Sequence, residues 1–197
     1  MRALVCSELN GVEGLAMGEL PEPEIRPGAA RVLIHAAGVN FPDVLVVQGL
    51  YQDQPPLPFA PGMEVAGTVA EVGAGVSDLA VGDRVFGFVP HGGYAEEVVA
   101  GAEALFPMPD GMTFETAAAL PIAFGTSYHA LVDRAAVAAG ETLLVLGAGG
   151  GVGLAAVQIG AALGAKVIGA VSSDAKADAV MAAGASLVLR YDKEGLR

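Results

Sequence analysis

Along the first 122 residues, apolar positions come in short runs broken by Gly, Pro and Asp. "RVLIHAAGVN", "EVAGTVAEVG" and "DRVFGFV" are β-branched or aromatic stretches of this kind, and they predict short strands joined by turns. "LPEPEIRPG" and "QPPLPFAPG" hold several of the prolines and read as loops. From about residue 123 the pattern changes. "ETLLVLG" is a buried-strand run, "GVGLAAVQIGAALG" is helical, and "AKVIGAVSS" is a second strand. "DAKADAVMAAGA" reads as a helix with Asp174 as its N-cap, and "SLVLR" as a third strand. Strand, helix, strand, helix, strand is the order of a parallel doubly wound sheet, so the chain reads as α/β with a β-rich first part.

Between the first of these strands and its helix lies "VLGAGGGVGLAAVQIG". A glycine turn in this position leaves bare backbone that a pyrophosphate can approach, and the N–H groups and dipole of the helix start attract its charge. The usual G-x-G-x-x-G spacing does not fit from any starting glycine. What fits is Gly147-x-x-Gly150-x-x-Gly153, with Gly149 and Gly151 adding further open backbone around Val152. Preference between the two dinucleotides should be set at the end of the second strand, where an NAD site commonly carries an acidic residue ~20 residues on. That place falls near Ala170 or Val171, and neither is acidic. Ser172, Ser173 and Lys176 follow, two hydroxyls and an ammonium suited to a 2′-phosphate. The expected cofactor is therefore NADPH.

Composition narrows the partners. Hydrophobic residues make up 53% of the chain and charged ones 16%, so it folds around a substantial core. The formal charge of −12, with no basic cluster, argues against a nucleic-acid or anionic-membrane surface. No apolar stretch reaches the ~20 residues of a spanning helix. One cysteine, Cys6, excludes an internal disulfide framework and fits a reducing cytoplasm, the expected location.

"GVNFPDVLVVQGLYQ", "PFAPGMEVAGTVAEVGAGV", "VGDRVFGF", "GGYAEE", "LPIAFGTSYHAL" and the glycine loop together resemble the medium-chain dehydrogenase/reductase superfamily. Within it the chain is most similar to the zinc-independent NADPH:quinone oxidoreductases, the zeta-crystallin group. The resemblance implies a GroES-like catalytic domain over residues 1–122 and part of a Rossmann NADP-binding domain over residues 123–197. The zinc-binding branch carries metal ligands where this chain has Asn40, Met63 and Ile122. Methionine and isoleucine do not replace imidazole and thiolate, so no metal is expected.

Without a Lewis acid, the chemistry left is hydride transfer to an acceptor already activated by conjugation, such as a quinone or an enone. Asn40 then stands where its amide can donate to the acceptor oxygen, although a turn-capping Asn has equal weight. Tyr51 matches the tyrosine that looks like the proton donor of enoyl-thioester reductases, with a buried structural tyrosine as the alternative. Asp43 orients one of them or starts a helix. The resemblance places Thr126 at the nicotinamide end of the cofactor and Tyr191, with Lys176, beside the adenosine 2′-phosphate. Glu64 reads as structural.

The family continues well past the last residue here, so the chain reads as a C-terminally shortened member. The missing strands would leave the first Rossmann strand as an apolar edge and remove the surface by which the complete enzymes form homodimers. Three functions compete: quinone reduction, reduction of an enoyl thioester such as an acyl-CoA, and dinucleotide binding without turnover.

Overall fold

The computed structural model describes residues 1–194, and residues 195–197 of the expected second domain lie outside the described residues. The chain divides into two compact units, Met1–Pro121 and the residues from Ile122 onward.

The first unit is built on strands. β1 (Arg2–Cys6) and β2 (Leu15–Glu19) form an antiparallel pair. β3 (Ala29–Ala37), β4 (Glu64–Val72), β5 (Arg84–Phe88), β6 (Glu97–Gly101) and β7 (Leu105–Pro107) form an antiparallel sheet in the order β6-β3-β4-β5-β7. Their alternation of apolar and polar positions turns Val32, Val65, Val69, Val85 and Val98 into one core. Each such valine contributes about 1.5–3 kcal/mol by leaving water.

Two short helices interrupt this β-rich unit. α1 (Phe41–Val47) carries "FPDVLVV", whose β-branched residues have strand propensity, and Asp43 lies in its first turn, the helix start the sequence offers for it. Local capping overrides that propensity. Asn40 is extended at φ −128° and ψ 159°, Pro42 sits in the first turn, and the Asp43 side chain reaches back to the Asn40 N–H. α2 (Phe114–Ala118) starts at Thr113, whose Oγ1 accepts from the Thr116 N–H at 3.2 Å.

The second unit opens within α3 (Pro121–Tyr128), which runs into a π-helical turn over His129–Arg134. Then come β8 (Thr142–Leu146), α4 (Gly151–Ala162), β9 (Lys166–Val171), α5 (Asp174–Ala182), β10 (Leu187–Arg190) and α6 (Tyr191–Glu194). The three strands are parallel in the order β10-β9-β8, packed with Val157 and Val180 of the helices around Val145, Val167 and Val171. This is the α/β arrangement with a partial doubly wound sheet.

One boundary differs from the sequence reading. The N-cap of α5 is Ser173, not Asp174. Ser173 is extended (φ −152°, ψ 157°), which puts its Oγ within 3.3 Å of the Lys176 N–H. Asp174 is the first helical residue, and its carboxylate turns to Arg190 instead.

Candidate functional site

In the first unit the turn after β3 brings four polar side chains together. The β3–β4 register ends at Ala37↔Val65, and the Gly38 N–H donates to the Glu64 carbonyl at 3.2 Å. Asn40, two residues on, therefore lies over the start of β4. Its Nδ2 donates to Glu64 Oε1 at 2.6 Å, and Glu64 is only 2% exposed. Gly38 makes room for this carboxylate, since a Cβ at that position would lie 2.0 Å from Glu64 Oε1. Asp43, 5% exposed, accepts through Oδ2 from the Asn40 N–H and from the Tyr94 hydroxyl, both at 2.8 Å. Its Oδ1 is buried with no hydrogen-bond partner among the described residues, so the network still holds an unused acceptor.

The structure thus brings Asn40 and Asp43 together and adds Glu64 and Tyr94 to them. Asn40 does stand at the N-cap of α1, and Glu64 fixes its amide. Tyr51 takes no part in this network. Its carbonyl accepts from Gln54, and the hydroxyl of its half-buried side chain makes no hydrogen bond among the described residues. Tyr94 is missed by the sequence reading although "GGYAEE" contains it. Nothing in the sequence pairs it with Asp43; in the fold, Gly62 of "PGMEV", at φ +95°, leaves room for its ring, since a Cβ there would lie 2.6 Å from it.

Burial, and after it the hydrogen bond to Asp43, pushes the Tyr94 phenol well above the ordinary phenol range. The folded state therefore favours the neutral phenol. The stability this lends is complete below the unfolded pKa of about 10 and is lost as pH climbs toward the raised folded value. In a base titration read by tyrosinate absorbance, Tyr94→Phe should remove only the late part of the rise. Loss of the early part instead would contradict the contact with Asp43.

In the second unit the glycine loop joins β8 to α4. Gly147 has φ +63° and open space around the position of a Cβ, and Gly150 is the N-cap with no side-chain cap bond. The N–H groups of Gly151, Val152 and Gly153 therefore open the helix without a side-chain acceptor. At Gly153 a Cβ would lie 2.4 Å from the Gly147 carbonyl oxygen, so only glycine lets the helix start pack this closely under the loop. Cβ atoms at Gly150 and Gly151 would meet almost nothing: Gly147 O at 3.6 Å for the first, Ala123 Cβ at 4.0 Å for the second. The loop is thus tight underneath and bare on top, a cradle that fits a phosphate group.

Neighbouring residues complete it. A Cβ at Gly149 would lie 2.8 Å from Lys176 Cβ and Cγ, so the Lys176 stem lies against the loop. Ser172 is exposed at the end of β9, while Ser173 Oγ is occupied as the α5 cap. Thr126 is exposed on α3. Its neighbour Ser127 is buried and donates to the Val152 carbonyl at 2.8 Å, tying α3 to the first turn of α4. Tyr191 is exposed at the start of α6. Arg190, next to it, is another residue the sequence reading misses, and nothing but its place at the end of the third strand marks it there. Its guanidinium binds Asp192 and Asp174 and lies 3.5 Å from the Ser172 carbonyl.

No helix of the described residues is long and apolar enough to cross a membrane. No group of three or more His, Cys, Asp or Glu side chains among the described residues is placed to hold a metal ion.

Residues 26–110 match the alcohol dehydrogenase GroES-like domain. Over its whole length the chain is 40% identical to quinone oxidoreductase-like protein 2 of Bos taurus, of which it covers 56%. Polyketide synthase GfsB of Streptomyces halstedii is 49% identical over 160 residues, 81% of this chain and 3% of that protein. The quinone oxidoreductase of Thermus thermophilus, solved alone and with NADPH, superimposes with a TM-score of 0.86 at 39% identity, over 98% of this chain and 61% of that one. The chain therefore spans little more than half the length of the quinone oxidoreductase relatives it matches. With its GroES-like unit, its parallel sheet and these relatives, the chain belongs to the medium-chain dehydrogenase/reductase superfamily, in its quinone oxidoreductase group.

Proposed function

We propose that this chain carries the catalytic and cofactor-binding residues of an NADPH-dependent reductase that acts without zinc on a quinone or a related conjugated carbonyl. The observation that carries the reading is the glycine cradle, bare above and tight below, with the Lys176 stem against it. The NADPH complex of the Thermus thermophilus relative supports the choice of cofactor. When bound, the cofactor supplies the hydride.

The residues of the chain do the rest. Backbone N–H groups of Gly149, Gly151, Val152 and Gly153 hold the pyrophosphate, with Gly147 and Gly150 leaving the space for it. Lys176, Ser172, Ser173 and Tyr191 bind the 2′-phosphate end, and Thr126 meets the nicotinamide end. Asn40 already gives one amide hydrogen to Glu64, which holds the amide in place and leaves its second hydrogen for the acceptor oxygen. Asp43 and Tyr94 fix the turn that presents Asn40. Tyr51, its hydroxyl uncommitted, is the proton donor where the acceptor cannot take its proton from water, as with an enoyl thioester.

A second reading, reduction of an enoyl thioester, is favoured by the likeness to a polyketide synthase and by the same Tyr51. Like the homodimer and the cytoplasmic location expected of the complete enzyme, it belongs to the longer protein. The test is nucleotide consumption, followed by absorbance, with a small quinone and a short enoyl-CoA in parallel, using NADPH and NADH. Faster consumption of NADPH with the quinone is expected. Turnover with the enoyl-CoA alone would favour the second reading, and equal or tighter binding of NADH would sink the assignment of cofactor. Binding without turnover would leave a dinucleotide-binding module.

A further inference from the structure

At the outer end of the parallel sheet, β10 runs beside β9 with Arg190 in register with Val171. The Arg190 side chain is 13% exposed and is held from one side by Asp192, whose Oδ1 accepts from Nε at 2.9 Å and Oδ2 from Nη2 at 2.7 Å. This bidentate pair fixes the guanidinium plane whatever else binds to it. Its other edge is turned to Asp174. There Arg190 Nη1 donates to Asp174 Oδ1, and Lys193 Nζ lies 3.5 Å from the same oxygen. Two cations on separate elements thus converge on one carboxylate oxygen. That carboxylate belongs to the first residue of α5 and is 79% exposed, so it can leave its partners at little steric cost. Arg190 Nη2 also lies 3.5 Å from the Ser172 carbonyl, which places the cations beside the residue that follows β9. In a βαβ unit this is where the ribose of a bound dinucleotide ends.

We propose that Asp174 is a built-in occupant of an anion site made by Arg190 and Lys193, and that the 2′-phosphate of the nucleotide binds there by displacing it. The inference rests on the NADPH reading and extends it to residues outside the serine and lysine set. It accounts for an acid standing only two residues past Ser172, where an unpaired carboxylate would repel a phosphate. Paired with Arg190 and Lys193, the carboxylate instead holds the cations in place until the phosphate arrives. Asp174 then lowers the affinity for 2′-phosphorylated nucleotides and leaves that for unphosphorylated ones alone.

The test is calorimetric titration of the 197-residue chain and its variants with 2′,5′-ADP and with 5′-AMP, which differ only in the 2′-phosphate. Asp174→Asn should tighten 2′,5′-ADP by about fivefold, the upper range for one exposed ion pair, and leave 5′-AMP unchanged. Asp174→Asn combined with Arg190→Gln should lose that gain. An unchanged or lower ratio of the two affinities in Asp174→Asn, with wild type still preferring 2′,5′-ADP, would overturn the displacement alone. No preference for 2′,5′-ADP in either protein would overturn the NADPH reading with it. Inorganic phosphate binding to Asp174→Asn as tightly as 2′,5′-ADP would overturn the assignment to a nucleotide. Asp174→Ser is the companion variant, keeping a helix-compatible polar residue should the amide disturb the start of α5.

Discussion

Tyr51→Phe is expected to slow reduction of an enoyl-CoA by about 10²–10⁴, the contribution of a positioned general acid, while NADPH binding stays as in the wild type. With a quinone as acceptor the same variant should lose little, because a quinol oxyanion can take its proton from water. Two tyrosines of the first unit could be weighed for this role, and their surroundings separate them. Tyr94 is committed: its hydroxyl donates to Asp43, and its proton is held more tightly than an ordinary phenol's. A hydroxyl so bound is a poor acid. Tyr51 has no such commitment among the described residues and keeps an ordinary partner, Gln54, only on its backbone. Steady-state rates with both acceptors, beside a nucleotide titration, decide the matter. A large loss of NADPH affinity in Tyr51→Phe would remove it from the acid role, and an equal loss of turnover with both acceptors would point to a packing defect.

Gly153→Ala should weaken nucleotide binding and slow turnover by about 100-fold, the scale on which a misplacement of roughly 1 Å costs rate. The added methyl would lie 2.4 Å from the Gly147 carbonyl oxygen and 2.7 Å from the Ala148 Cα. Both are backbone atoms and cannot rotate away, so the loop and the start of α4 must separate. Overpacking of this kind also costs about 1–3 kcal/mol of stability. Gly150→Ala is the informative companion. Its methyl would meet only the Gly147 oxygen, at an ordinary 3.6 Å, and the native φ of −92° suits alanine. Gly150→Ala should therefore melt with the wild type and still bind nucleotide more weakly, because the methyl projects into the bare side of the cradle. Thermal melts and nucleotide titrations of the two variants separate folding from binding. Full affinity in Gly150→Ala would mean that no phosphate approaches the loop there.

The second unit is the legible one. Its strands are short apolar runs, the first closed by Gly147, the helices α4 and α5 carry alanine-rich faces, and the glycine loop is a local turn written in consecutive residues. Asn40 and Asp43 are legible for the same reason, being three positions apart in one capping turn. The sequence misleads where contacts are distant or where two local preferences compete. Tyr94 reaches Asp43 across 51 positions and Arg190 reaches Asp174 across 16, and no periodicity announces either. The "VLVV" of α1 has strand propensity, yet the Asn40–Asp43 cap and Pro42 make it helical. At α5 two good capping residues stand side by side, and Ser173 takes the cap because Arg190 offers Asp174 a stronger partner.

β8 is paired along one side only among the described residues, with Leu144 half exposed and Leu146 70% exposed. A parallel strand directs its amides alternately to its two flanks, so half of the hydrogen-bonding capacity of β8 faces outward beside apolar side chains. The strand carries no charge and no proline over "TLLVL". Nothing in it discourages another strand from docking there, which makes β8 a growth point for the sheet. A further strand laid along this flank would satisfy those outward amides and cover Leu144 and Leu146 in one step.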